Sequence, residues 1–266
     1  MPVRVVHDQS GDDYHNEKFH LSSTNIKCAL LRSLLHMEQA DPTINKYIAD
    51  EGNGVHLVFE GKPEKVIQSG ETRRGKQWEQ DQKRAAAMGG VALPAKVYAA
   101  VMGAGTSARN HPTIGQWLRN EECWHEASIF AEHTPTGQGI KCKPDVYMPR
   151  TGSIIDLKTT VSADPRDFIR SCFKYAYDVQ GAFYRMVCRE AGLLVSPNFH
   201  ILAVEKTKPF AAQHFVLEDD VLSAAEERVE QVMLQIAQSR ETGVFTTGWP
   251  AVSKINSSIR EKYNGF

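Results

Sequence analysis

Gly139–Thr160 reads GIKCKPDVYMPRTGSIIDLKTT, and this stretch decides the fold. Ile140, Cys142, Val146 and Met148 alternate with Lys141, Lys143, Asp145 and Tyr147, the period of a strand. Ser153–Thr159 reads as a second short strand carrying Ile154, Ile155 and Leu157. Pro149-Arg150-Thr151-Gly152 between them is turn-rich, so the expectation is a two-stranded hairpin. With those four residues as the loop, Met148 faces Ser153. The same register carried three positions back sets Asp145 opposite Asp156. Side chains two apart share a strand face, so Lys158 lies beside Asp156. Directly opposed residues hold their Cβ atoms about 4.5–5.5 Å apart, and like charges there repel. A divalent cation offsets that repulsion, and hard oxygen ligands suit Mg²⁺ or Mn²⁺. Taken alone, the same pattern also describes a solvated hairpin face in which Lys158 pairs with one acid.

Flanking segments add polar groups. Glu126 opens the apolar run Ala127–Ala131, read as a third strand, and a carboxylate at its start is placed to reach the same metal. Ala176–Glu190 reads as an amphipathic helix with Val179, Phe183, Met186 and Val187 inward. Gln180 and Tyr184, four apart, share a face of that helix. Their amide and phenol are suited to hydrogen-bond substrate or a metal-bound water, or to be an ordinary partly buried polar pair.

In order along the chain, Glu126, Pro144-Asp145, Asp156-Leu157-Lys158 and Gln180…Tyr184 resemble the PD-(D/E)xK nuclease superfamily. The likeness is greatest to the C-terminal nuclease domain of RecE-type exonuclease (exonuclease VIII). It runs from about Phe19 to Trp249-Pro250 and includes Cys142-Lys143-Pro144-Asp145, Asp156-Leu157-Lys158-Thr159-Thr160 and Val179-Gln180-Gly181-Ala182-Phe183-Tyr184. The resemblance implies an α/β fold of restriction-endonuclease type, a central mixed sheet flanked by helices. It implies a metal set of His56, Asp145, Asp156, the Leu157 backbone carbonyl and Glu126, holding one or two Mg²⁺ ions for which Mn²⁺ substitutes. His56, in Asn53-Gly-Val-His-Leu-Val-Phe59, stands where that family carries a histidine ligand, although the segment is less apolar than the family pattern. Catalytic roles fall to Asp145, Asp156, Lys158, Glu126, Gln180 and Tyr184. Lys158 then orients or deprotonates water, or neutralises transition-state charge, and the residues leave these roles open.

The implied activity is 5′-to-3′ digestion of linear double-stranded DNA, leaving 3′ single strands for a single-strand annealing recombinase in phage-type recombination. A homo-oligomeric ring, tetramer or trimer, is implied as well. The alternatives are a structure-specific or restriction-type endonuclease, or a non-catalytic DNA-binding module on the same scaffold. Intact Asp145, Asp156 and Lys158 favour an enzyme, because a binding module has no need of all three.

Composition sets looser bounds. The chain has 266 residues, 41% of them hydrophobic, and a formal net charge of −1. One nuclease domain is expected over 1–266: a loose segment at 1–18, a helical part at 19–120, the core at 121–250 and a tail at 251–266. DNA binding requires phosphate neutralisation, so any basic surface is local. The candidates are Arg73, Arg74, Lys76, Lys83 and Arg84, and Lys141, Lys143, Arg170 and Lys174. Five cysteines without C-x-x-C spacing imply neither a disulfide framework nor a zinc knuckle. No signal peptide or long apolar run is apparent, so a cytoplasmic location away from membranes is expected, and the resemblance implies that of a bacterial or phage-infected host.

Elsewhere, Ser22 or Ser23 caps a helix bearing Ile26, Leu30, Leu31, Leu34 and Leu35. Asp41-Pro42 opens another. Helices are expected at 77–88 and 94–102, followed by a turn-rich 103–110. Asp164-Pro165 starts a helix toward Tyr175, 198–204 forms a buried strand, and Asp219 or Asp220 caps a last helix. Gly70-Glu-Thr-Arg-Arg-Gly75-Lys76-Gln77 approaches a phosphate-binding loop, but Gln77 replaces the metal-binding Ser/Thr.

Overall fold

A computed structural model describes residues 3–39 and 46–253. Asp41-Pro42 lies outside them. The helices are α1 (Gly11–Asn16), α2 (Ser23–Leu31), α3 (Leu34–Gln39), α4 (Lys46–Glu60), α5 (Gly75–Ala87), α6 (Ala95–Arg109), α7 (Ile114–Asn120), α8 (Pro165–Lys174), α9 (Tyr177–Glu190) and α10 (Asp219–Thr242). The strands are β1 (Arg4–Val6), β2 (Val66–Gln68), β3 (Val91–Leu93), β4 (Trp124–His125), β5 (Ser128–His133), β6 (Gln138–Cys142), β7 (Val146–Met148), β8 (Ser153–Thr160), β9 (Phe199–Glu205) and β10 (Ala212–Leu217). Among the described residues no helix is long and apolar enough to cross a membrane.

The central sheet is mixed, in the order β10-β9-β8-β7-β4, with β8 and β9 parallel and the other pairs antiparallel. Helices cover both of its faces. Ile154, Phe199, Ile201 and Ala203 pack with α2, α9 and α10. Val146, Met148, Ile155, Leu157, Leu202 and Val204 pack with α4 and α6. The expected mixed sheet between helices is the one observed. β8 therefore has no wet face, and its run of apolar residues reflects burial on both sides.

The hairpin keeps its expected register, Met148↔Ser153 and Val146↔Ile155. The first strand departs from expectation. Residues 138–148 are two strands, and the break falls at Lys143-Pro144-Asp145. β6 belongs to a three-stranded antiparallel sheet, β1-β5-β6, while β7 belongs to the central one. Proline cannot donate to a ladder, so pairing ends there. Ile140 and Cys142 thus enter one core and Val146 and Met148 the other. A second break lies alongside: β4 and β5 are separated by Glu126-Ala127, with Glu126 at φ 51° in the left-handed region. The Glu126 N–H donates to the Asp145 carbonyl at 3.2 Å, tying the two breaks together.

Other segments also differ from expectation. Part of the segment expected to be loose forms β1, paired with β5, and α1. The helix capped by Ser22 stops at Leu31, so Leu34 and Leu35 belong to α3. Residues 103–110 continue α6 almost to its end, because small residues let it cross α4 closely. A Cβ on Gly105 would lie 2.4 Å from the Val58 Cβ. Finally, α9 is buried all round between 178 and 188, because two sheets, α2 and α10 enclose it.

Candidate active site

The paired strand breaks bring together groups from distant parts of the chain. His56 projects from α4, Glu126 from the β4–β5 break and Asp145 from the β6–β7 break. One ligand atom from each lies within 4.8 Å of the other two, and among the described residues they form the one such group of three. The His56 Nδ1 is 3.3 Å from Asp145 Oδ1 and 3.8 Å from Glu126 Oε1. The Leu157 N–H donates to Asp145 Oδ2 at 2.5 Å, which fixes the carboxylate with its other oxygen toward His56. In a strand, one residue's N–H and C=O lie on the same side, so the Leu157 carbonyl also leaves β8 toward Asp145.

The electrostatics follow from this crowding. Burial disfavours an imidazolium at His56, but the charge and hydrogen bond of Asp145, then Glu126, overcome it and raise the pKa well above its usual value. Burial pushes Asp145 up to about 6, with Asp156 and Glu126 adding and His56 opposing. Burial also acts to raise Glu126, yet His56 and Lys143 hold it down at about 2. Lys143 Nζ sits 2.9 Å from Glu126 Oε2.

A second cluster adjoins the first. Asp156 and Lys158 project from β8 toward α9. Lys158 Nζ is 2.6 Å from Asp156 Oδ2, and Gln180 Nε2 donates to Asp156 Oδ1 at 2.7 Å. Gln180 Oε1 accepts from both Lys158 and Lys27 at 3.3 Å. An amide with a carboxylate on one side and two ammonium groups on the other has a single sensible orientation. Burial alone would lower Lys158, but the charges of Asp156 and Asp145 raise it. Lys27, by contrast, falls to about 8 through burial and then repulsion from Lys158.

Of the expected site residues, His56, Glu126 and Asp145 come together around one point. Asp156, expected among the metal ligands, instead turns its carboxylate to Lys158 and Gln180. Tyr184 lies one turn beyond Gln180, buried edge-on against Phe199 at 6.2 Å between centroids. Among the contacts described, α9 meets the site through Gln180 and through the Tyr177 ring, 4.9 Å from Lys158 Nζ. Lys141, a candidate for the basic surface, is buried and donates to the carbonyls of Tyr14 and Glu17. Sequence reading missed Lys27, which carries no motif, and the pairing of Lys143 with Glu126. Adjacency of Lys143 to Pro144-Asp145 was the available signal.

The donor set fits a divalent cation. Two carboxylates and an imidazole converge, and their mutual repulsion is offset here by the His56 proton and Lys143, roles that a cation takes over when bound.

Comparison with known proteins bears on the family and the fold. A family model described as a PDDEXK-like domain of unknown function (DUF3799) matches residues 34–251. No curated protein matches the chain. Among solved structures, a candidate exonuclease from Eubacterium rectale is similar with a TM-score of 0.62 and 17% identity, covering 98% of this chain and 100% of that one. A phage-related exonuclease from Haemophilus somnus is similar at a TM-score of 0.35 and 11% identity, over 86% of this chain and 100% of that one. An alkaline exonuclease from Laribacter hongkongensis gives 0.32 and 13%, over 75% and 95%.

Proposed function

The chain belongs to the PDDEXK-like domain family, and from that premise we propose that it is a divalent-metal-dependent exonuclease acting on linear double-stranded DNA. One observation carries the reading: a three-ligand cluster, His56, Glu126 and Asp145, lies beside the Asp156–Lys158–Gln180 network. A binding module has no use for a pair of carboxylates held against each other in a buried site.

His56, Glu126 and Asp145 would hold the cation, Mg²⁺ with Mn²⁺ as substitute, with Asp156 and the Leu157 carbonyl as further candidate ligands. The bound ion supplies charge neutralisation at the scissile phosphate and acidifies water. The chain's own groups do the rest. Asp156 keeps Lys158 as an ammonium, which favours stabilising charge on the phosphate over abstracting a proton. Gln180 fixes both partners of that ion pair through one amide. The buried carboxylate of Asp145 is aimed by the Leu157 N–H, so little reorganisation is needed when substrate binds.

The likeness to RecE-type enzymes supports 5′-to-3′ polarity, a 3′ single-stranded product, an annealing partner and a closed ring. The deciding experiment compares linear duplex DNA, with and without a 5′ phosphate, against closed circular DNA in Mg²⁺. Linear duplex is digested and circles survive if the reading is right. Cutting of circles would replace it with an endonuclease. Lys158→Ala and Asp156→Asn are expected to lower the rate by about 10²–10³-fold, as does loss of a single charge-stabilising group elsewhere. Full activity in either variant would remove these residues from the site.

A further inference from the structure

The connection between α8 and α9 is two residues, Tyr175-Ala176, and the second of them is strained. Ala176 is buried and adopts φ 51°, ψ 52°, a left-handed conformation that a non-glycine residue rarely takes. It sets the rings of Tyr175 and Tyr177 side by side, with centroids 6.0 Å apart and planes 34° apart. Tyr175 is 50% exposed. Tyr177 is half-buried and backed by Phe168 at 6.1 Å, which stacks in turn on Phe215 at 4.6 Å. The inner ring is therefore held rigidly while the outer one faces solvent.

Cations accompany both rings. Lys158 Nζ lies 4.9 Å from the Tyr177 centroid, and Lys174 Nζ 5.5 Å from that of Tyr175. Arg166, Arg170 and Lys174 recur every four residues along α8 and are all exposed, so they form one stripe. Arg166 is paired with Asp164. In a chain of net charge −1 this stripe is a local excess, and its last member, Lys174, connects through Tyr175 and Tyr177 to Lys158.

We propose that Tyr175 and Tyr177 form a stacking platform for unpaired bases of a DNA single strand, with its phosphates running along Arg170 and Lys174 and its end reaching Lys158. Aromatic faces accept any base, and a cationic path tracks the backbone without reading sequence. Bases inside a duplex already use both faces on their neighbours. A platform here therefore engages nucleotides that have left the duplex, which places strand separation before hydrolysis. This assignment rests on the nuclease reading for its choice of DNA.

The test uses a short single strand containing 2-aminopurine and a blunt duplex, each titrated with the full chain in EDTA so that nothing is hydrolysed. Wild type is expected to quench the fluorescence of the single strand. Tyr175→Ala is expected to bind it about tenfold more weakly and lose the quench. Tyr175→Trp is expected to keep both, and affinity for the blunt duplex to stay unchanged. Tyr175 is exposed, so the variants fold, and unchanged thermal midpoints confirm it. Wild-type protein that fails to quench, or Tyr175→Ala that binds like wild type, overturns the platform. Digestion of linear duplex in Mg²⁺ is scored separately. A chain that digests without quenching loses only the platform, and one that quenches without digesting loses only the nuclease reading.

Discussion

His56 and His200 lie on the same side of the central sheet, yet their imidazoles are pushed in opposite directions. Burial drives His200 down to about 4, with the neighbouring His214 adding to it. Its Nδ1 sits 3.1 Å from His214 Nε2, and Trp117 packs edge-on against both rings. Burial opposes the charged form of His56 in the same way, but Asp145 and Glu126 reverse the outcome. The penalty for burying an imidazolium is common to the two places; the company of carboxylates is not. A histidine among apolar and aromatic groups is core. A histidine between two aimed carboxylates is a site held ready for a cation.

The largest expected effect comes from breaking the site's side of this contrast. Asp145→Asn keeps an oxygen to accept the Leu157 N–H but removes the charge that faces His56. DNA hydrolysis is expected to fall by about 10³-fold or more, since charge stabilisation of this kind contributes several kcal/mol. Mn²⁺ binding measured by calorimetry should weaken with it, while the thermal midpoint without metal holds or rises. Retained Mn²⁺ affinity would mean that Asp145 is no ligand.

Next in size is an effect on the His200 side, where acid acts on stability. His200 binds its proton at about 4 when folded and near 6.5 when unfolded. Between those values the unfolded chain carries the extra proton, so stability falls as pH drops from about 6.5 to about 4. The contribution is full above that window and amounts to about 3 kcal/mol when lost. Urea unfolding at pH 7.5 and pH 5 measures it, and His200→Gln is expected to flatten the dependence relative to wild type. Equal slopes in the two proteins would show that His200 is not the group titrating.

This contrast also explains what the sequence could and could not reveal. The pairing of Asp145 against Asp156, with Lys158 beside them, follows from strand periodicity and a turn of fixed length. Both are local; the turn and the register Met148↔Ser153 are seen, the ladder stops at Val146↔Ile155, and Asp145 lies just outside it in the strand break. The interruption at Pro144 was hidden because the apolar alternation runs straight through it. Both sides of the break are buried, so composition does not mark the passage from one sheet to the other. His56 was legible only through family likeness, since a helix position says nothing about which distant loops face it. Gln180 was placed on the correct helix, but its grip on Asp156 and Lys158 depends on α9 lying against β8. The sequence expectation ends helix α6 early because Gly103 and Gly105 read as turn residues, whereas here Gly105 allows the close crossing of α4 and Gly103 makes room for the Phe210 ring. Lys27 reaches the site from α2 with no motif at all.

The smallest effect sharpens the comparison most. His133 is fully buried and also meets a carboxylate, with Nε2 3.0 Å from Glu230 Oε2 and Nδ1 2.8 Å from Thr136 Oγ1. If any histidine–carboxylate contact marked a functional centre, this one would qualify. It differs from His56 in having one carboxylate instead of two, on a side chain 41% exposed, so no repulsion between acids is left for a cation to relieve. Glu230→Gln keeps a polar partner for the ring. It is expected to cost about 1 kcal/mol, read as a fall of about 2–4 °C in thermal midpoint. Hydrolysis of linear duplex should not change. A tenfold loss of activity in this variant would break the comparison, because an isolated pair with one half-exposed partner would then bear on catalysis as much as the crowded one around His56.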